Sequence, residues 1–314
     1  MIYTKENLYF EKGYYMKITN QQEQSKKAVK IYLSLTLGVC FLFGILAFIL
    51  PGETGDSVFD LFAKVFTPIP VLATLLTRKI IKDKSSWNLD IRVWRNTKAL
   101  LLSAFLPGFS VLLGAIVYYA AYPQELHANV QALFGFCSQY GLPDNIPVNN
   151  VSIAITAIIL WLVSALAIPI HFLELGEEIG WRGYLLPKQL SYMSVKKAVL
   201  TNGTLWGIAH APLIFFGFNY GMDYLGAPFT GILLMIVFCI SAGICMSYSM
   251  VKTNNCMYAA IIHGAINVAA DLQILSVAVN RPLIGPSPTG IIGMGVIVII
   301  AVYIFFWKLK TPTK

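Results

Sequence analysis

Runs of roughly eighteen or more mostly apolar residues recur along this chain, and they constrain its fold more than any other feature. Wound as a helix rising about 1.5 Å per residue, such a run reaches across the roughly 30 Å of hydrocarbon in a bilayer. Eight segments can be drawn, at about 29–50, 61–77, 99–122, 151–175, 200–218, 229–251, 256–279 and 290–307. Segment two is the weakest, since it holds Lys64, Pro68 and Pro70. Only 12% of the residues are charged, against about a quarter in soluble proteins. The expected fold is an all-α, polytopic transmembrane helical bundle of about eight helices. A cytoplasmic segment 1–28 precedes the transmembrane domain 29–307, and a cytoplasmic tail 308–314 follows it.

The positions of lysine and arginine test this drawing. Five lysines precede segment one and Lys30 stands at its start, and seven Lys or Arg residues lie in the link 78–98. Arg182, Lys188, Lys196 and Lys197 follow segment four, Lys252 precedes segment seven, and Lys308, Lys310 and Lys314 close the chain. The intervening links 51–57, 123–150 and 219–228 carry none, and Arg281 stands alone after segment seven. Basic links mark the cytoplasmic side, so both termini are expected there. The net charge of +8 therefore reports membrane topology. No continuous basic face or nucleic-acid module is present, and no nucleic-acid partner is expected.

Of five cysteines, Cys40, Cys239 and Cys245 fall inside apolar runs, Cys256 opens one, and Cys137 lies in an external link. No CxxC spacing points to a disulfide scaffold or a cysteine zinc site. No signal peptide is expected, because the first apolar run begins near Val29 and is too long for one. The basic stretch 185–198 suits an amphipathic helix lying on the cytoplasmic interface. No internal repeat supports a transporter built from repeats.

Ionisable residues inside a membrane cost about 2.5–3.5 kcal/mol each on insertion scales, and so point to function. Beyond Asp60 and Lys64 they are His171, Glu174, Glu177, Glu178, Arg182, His210, His263 and Asp271. Helical spacing sorts them. Glu178 and Arg182 are four apart and can pair. Glu177 is turned by roughly 100° and points elsewhere, its charge unneutralised. His263 and Asn267 share a helix face, as do Trp206 and His210. On the drawn boundaries Glu177 and His210 lie about 15 Å from the cytoplasmic helix ends and His263 about 10 Å, so the three can meet. His171 and Glu174 read as supporting or structural groups, and Asp271 and His127 as non-catalytic. Gly176, Gly180, Gly183, Gly203 and Gly207 suit close helix approach around such a site.

Such a set can activate water. An unneutralised carboxylate in a partly desolvated pocket serves as a general base, a histidine opposite orients the water, and His263 with Asn267 can stabilise an oxyanion. Alternatively, Glu177, His210 and His263 could hold a divalent metal such as zinc. No HExxH motif is present. The stretch 177–182 alone could equally be a salt-bridged helix cap. Three polar clusters at matched depth favour a site.

Three ordered motifs, "EEIGWRG" (177–183), "WGIAH" (206–210) and "HGAIN" (263–267), resemble those of the CAAX-protease and bacteriocin-processing family of intramembrane endopeptidases. The family pattern is EExxxR, an aromatic followed by xxxH, and HxxxN, with Trp206 here where phenylalanine is common. The resemblance covers roughly residues 150–270, and the eight-segment layout is similar too. It implies a membrane-embedded peptidase opening to the cytosol. Glu177 would activate water with help from His210, Glu178 and Arg182 would orient the site, and His263 with Asn267 would stabilise the oxyanion. Both metal-dependent and metal-free water activation are proposed for the family. The implied partners are the lipid bilayer and a peptide or membrane-protein substrate. The Lys/Ile/Asn-rich character points to a bacterial cell membrane. The competing readings are a non-catalytic bacteriocin-immunity or scaffold protein of the same fold, and a small-solute transporter.

Overall fold

The computed structural model describes residues 5–126, 151–152, 155, 158–159, 161–162, 172–271 and 281–309, and these residues form helices joined by turns and irregular links such as 83–90. Helix α1 runs Lys5–Ile49, well beyond the apolar run that seeds it. It breaks at Pro51 and at Gly52, whose φ of 53° favours glycine. Helices α2 (Glu53–Val65) and α3 (Ile69–Ile81) follow and fold back on α1. A single span over 61–77 was expected. Instead the two helices meet at a bend of 71°. Pro68 and Pro70 supply the physical reason, because a proline ring lacks the N–H that would continue the preceding helix.

Helix α4 (Thr97–Ala121) starts at Asn96, whose side chain accepts the Ala99 N–H at 3.1 Å. Next come α5 (Phe172–Glu178), a π-helical turn over Ile179–Leu185, and α6 (Leu186–Leu190), all one continuous segment. Helix α7 (Val195–Phe215) begins where Ser194 caps the Lys197 N–H. The stretch 185–198 is therefore not one surface helix. The Ser194 cap divides it, and Leu186 and Gln189 turn into the interior. Helices α8 (Phe229–Thr253), α9 (Met257–Asp271) and α10 (Gly295–Tyr303) complete the described bundle.

Among the described residues three helices are long and apolar enough to cross a membrane, Thr19–Ile49, Val93–Ala121 and Phe229–Thr253, or four if the bent α2–α3 pair is one span. Large apolar side chains such as Phe48, Leu72, Ile116, Leu233 and Ile299 are exposed, as lipid contact requires and water would not favour. Several hydroxyls in the helices are satisfied locally. Thr74, Thr77 and Ser241 each donate to the carbonyl four residues earlier. The chain is an integral membrane protein. Most of segment four before Phe172, the link 127–150 with His127 and Cys137, His171, and residues 272–279 of segment seven lie outside the described residues. Cys40, Cys239, Cys245 and Cys256 are free thiols.

Helices α7 and α8 cross closely because Gly203 and Gly207 present no side chain. A Cβ at Gly203 would sit 2.8 Å from Ile240 Cα, and one at Gly207 would sit 2.7 Å from Ile236 Cα. Backbone cannot yield as a flexible side chain can, so Gly207→Leu should destabilise the protein by about 1–3 kcal/mol. Thermal unfolding in detergent measures this, and an unchanged midpoint would show that the crossing is looser than described.

The link after α3 ties the bundle together beneath the π turn. Asn88 Nδ2 donates to Gly183 O at 2.9 Å, and Lys188 pairs with Asp83 at 2.7 Å. Burial alone would raise the Asp83 carboxyl, but hydrogen bonds from Lys188 and Ser85 outweigh it and bring the pKa down to about 2.

Candidate active site

Helix α5 delivers the two glutamates to the centre of the bundle, and the π turn directly after them delivers Arg182. Wide π turns are rare and frequently mark functional positions in helices. Glu178 and Arg182 are fully buried, while Glu177, His210 and His263 are 5%, 8% and 7% exposed. Buried charge at this density is retained only when it is paired and hydrogen-bonded.

The adjacent glutamates have different partners. Arg182 Nη1 donates to Glu178 Oε1 at 2.8 Å and to Oε2 at 3.1 Å, and His263 Nδ1 meets Glu178 Oε1 at 3.1 Å. Glu178 thus joins the π turn to α9. Glu177 Oε2 instead accepts the Trp206 indole N–H at 2.8 Å, which joins α5 to α7. No Lys or Arg pairs with Glu177 among the described residues.

Both histidines have one ring nitrogen fixed. His210 Nδ1 lies 2.9 Å from Trp206 O. A carbonyl can only accept, so Nδ1 carries the proton, and Nε2 of the neutral ring is left as an acceptor. Phe66 packs against the same ring at 4.6 Å between centroids. At His263, Nδ1–H donates to the Glu178 carboxylate, an arrangement that fixes the imidazole and leaves Nε2 for other partners.

Asn267 lies one turn beyond His263 but is exposed, and its Nδ2 donates to Glu174 Oε1 at 3.2 Å. The structure therefore links Asn267 to Glu174, a residue expected to be a supporting or structural group. Helix α9 ends at Asp271, whose side chain lies outside the described set.

Two further residues, outside the six expected to carry the chemistry, shape the site. Trp206 lies 4.4 Å beneath the Arg182 guanidinium, and its ring centroid is 5.2 Å from that of His263 and 5.5 Å from that of His210. Its signal was the tryptophan where a phenylalanine is common, which adds an N–H. Gly243 admits the guanidinium, since a Cβ there would lie 3.0 Å from Arg182 Nη2. One glycine within an apolar run carries no such signal.

The metal alternative can be tested on the donor set. Among the described residues no three His, Cys, Asp or Glu side chains form a group that could hold an ion. The expected trio of Glu177, His210 and His263 does not fit one. What the arrangement offers is a carboxylate without a cation, beside two oriented imidazoles in a desolvated pocket. Such groups suit proton transfer.

Residues 154–269 match the family described as type II CAAX prenyl endopeptidase Rce1-like. Over 148 residues the chain is 28% identical to CAAX prenyl protease 2 of Methanococcus maripaludis, an alignment covering 46% of this chain and 51% of that protein. The chain thus spans about half the length of the curated relative it matches. Residues 154–269, which carry all three motifs, are thus similar in sequence to type II CAAX prenyl endopeptidases of the Rce1-like kind.

Proposed function

We propose that this protein is an intramembrane endopeptidase in which Glu177 activates water for attack on a peptide bond. The observation that supports this most is the unequal partnering of the two glutamates. Glu178 receives Arg182 and His263, whereas Glu177 receives one neutral N–H donor. A carboxylate paired with a guanidinium is a poor base, so the base assignment falls on Glu177.

In this mechanism Glu177 takes a proton from water as the oxygen attacks the scissile carbonyl carbon. His210 Nε2, left as an acceptor by the Nδ1 contact, orients that water. The doubly protonated His263 ring, anchored at Nδ1, offers Nε2–H to the developing oxyanion. Asn267 assists if it leaves Glu174 when substrate binds. The C–N bond then breaks as Glu177 returns its proton to the leaving amine. Glu178 and Arg182 hold His263 and the π turn in place. The substrate is a peptide or membrane-protein segment, and under the basic-link topology it enters from the cytosolic side.

Cleavage of a model membrane peptide by purified protein tests the proposal. His210→Ala should slow turnover about 100-fold, within the range for a positioned proton-transfer group. Trp206→Phe keeps the aromatic shape and removes the N–H. Loss of one hydrogen bond to a charged group, about 1.5–3 kcal/mol, should lower kcat by roughly 10- to 100-fold with little change in KM. Wild-type rates in the folded His210→Ala protein would remove His210 from the chemistry. A Trp206→Phe effect on KM alone would remove the indole from the base.

A further inference from the structure

Away from the glutamates, a cavity of about 300 Å³ lies among α4, α8, α9 and α10. Ala99, Leu102 and Leu106 of α4 line it together with Ile297 and Ile300 of α10. Ile262 and Ile266 of α9 line it as well, on either side of His263 in the sequence. The polar groups gather at one end. Asn96 and Lys98 stand at the start of α4, and Ser249 and Lys252 at the end of the antiparallel α8. This is the end carrying the basic links, hence the cytoplasmic end under the positive-inside reading.

Length and charge together indicate an occupant. The lining positions on α4 run from Lys98 to Ser110, a rise of about 18 Å along the helix, close to the roughly 15 Å hydrocarbon depth of one leaflet. Along that path the wall is mostly apolar, broken by Ser103 and by Ser110, whose hydroxyl is bonded to Leu106 O at 2.7 Å. Lys98 and Lys252 are exposed, and neither pairs with a carboxylate among the described residues. Lys252 Nζ lies 5.7 Å from the Tyr248 ring centroid, beside a cavity-lining side chain. Two unneutralised cations at the mouth of an apolar slot one leaflet deep match a phosphate joined to an acyl chain. Basic pockets between membrane helices bind anionic headgroups in this way.

We infer that this slot is a binding site for an anionic phospholipid of the cytoplasmic leaflet, with its phosphate at Lys98 and Lys252 and one acyl chain lying along α4. The lipid would brace α9 along the face next to the one that carries His263, and so support the helix whose imidazole meets Glu178.

The test is a binding measurement on the full chain, purified and stripped of lipid in detergent. Thermal midpoint and native mass spectrometry are followed as phosphatidylglycerol or phosphatidylcholine of matched chains is added. Phosphatidylglycerol should raise the midpoint by several degrees and remain bound, while phosphatidylcholine should do neither. The double variant Lys98→Gln/Lys252→Gln should weaken retention of phosphatidylglycerol about tenfold or more. Leu102→Trp, which keeps both lysines and fills the slot, should weaken it similarly. Glycerol phosphate, a headgroup without chains, should have no effect. Equal responses to the two lipids, or an unaltered response in the lysine variant, would mean ordinary boundary lipid and overturn the site. A response reproduced by glycerol phosphate would overturn it in favour of a simple anion site. Peptide cleavage enters none of these readouts, so the inference stands or falls apart from the proposed activity.

Discussion

Glu177→Gln is expected to abolish peptide cleavage, lowering kcat by roughly 10⁴-fold, the upper end for a positioned general base. The amide has nearly the same volume as the carboxylate, and its oxygen can still accept the Trp206 N–H that now meets Oε2 at 2.8 Å. Packing and folding should therefore survive. Proton affinity does not, and the base is lost. Substrate binding should change little, so the loss belongs in kcat while KM holds. Glu178→Gln tests the division of labour between the neighbours. It weakens the Arg182 and His263 contacts, so it should cost both stability and rate, whereas Glu177→Gln costs rate alone. If the Glu177→Gln protein cleaves the peptide at wild-type rate, the mechanism proposed above is wrong, whatever the family relationship.

Arg182→Ala should be the most destabilising single change in the site. Both Arg182 and Glu178 are fully buried, and removing the guanidinium leaves the Glu178 carboxylate without its bidentate partner. Breaking a buried pair in this way typically costs about 3–5 kcal/mol, because the remaining charge is desolvated and uncompensated. The loss also empties the space between the Trp206 ring and Gly243 that the guanidinium fills. The check is the thermal midpoint in detergent, compared with that of Glu178→Gln/Arg182→Met. The double variant removes both charges and keeps much of the volume, so it should regain most of the stability and none of the activity. A single variant as stable as wild type would show that Glu178 is neutral or reaches water. A double variant no better than the single would place the cost in packing, away from charge.

Much of this architecture could be read from hydropathy. Segments drawn at 99–122 and 229–251 correspond to α4 and α8 within a few residues. The pairing of Glu178 with Arg182 followed from a spacing of four, even though the local winding proved to be π-helical. Direction was harder to read. An apolar run says nothing about where its axis points, so the sharp bend between α2 and α3 went undrawn despite Pro68 and Pro70. The oxyanion pairing of His263 with Asn267 rested on a shared helix face. A face spans a wide arc, and within it Asn267 reaches Glu174 while His263 reaches Glu178. The donor trio for a metal was assembled from depth alone, which fixes height in the bundle and leaves the aim of each side chain open. Gly243 was illegible for a plainer reason. A glycine that makes room for a buried cation looks, in sequence, like any small residue in a packed membrane helix.

The Trp206 indole binds Glu177, stacks under Arg182 and meets both histidine rings. Four functional groups therefore share one neighbour, and a change at any of them repositions the surface against which the others rest. Epistasis should be strong here. Effects of single substitutions will not sum, since residues in one contact network deviate from additivity by about 0.5–3 kcal/mol. A laboratory lineage that swapped Trp206 for phenylalanine would have to readjust the guanidinium, both imidazoles and the base together, which leaves few viable single-step routes through this cluster.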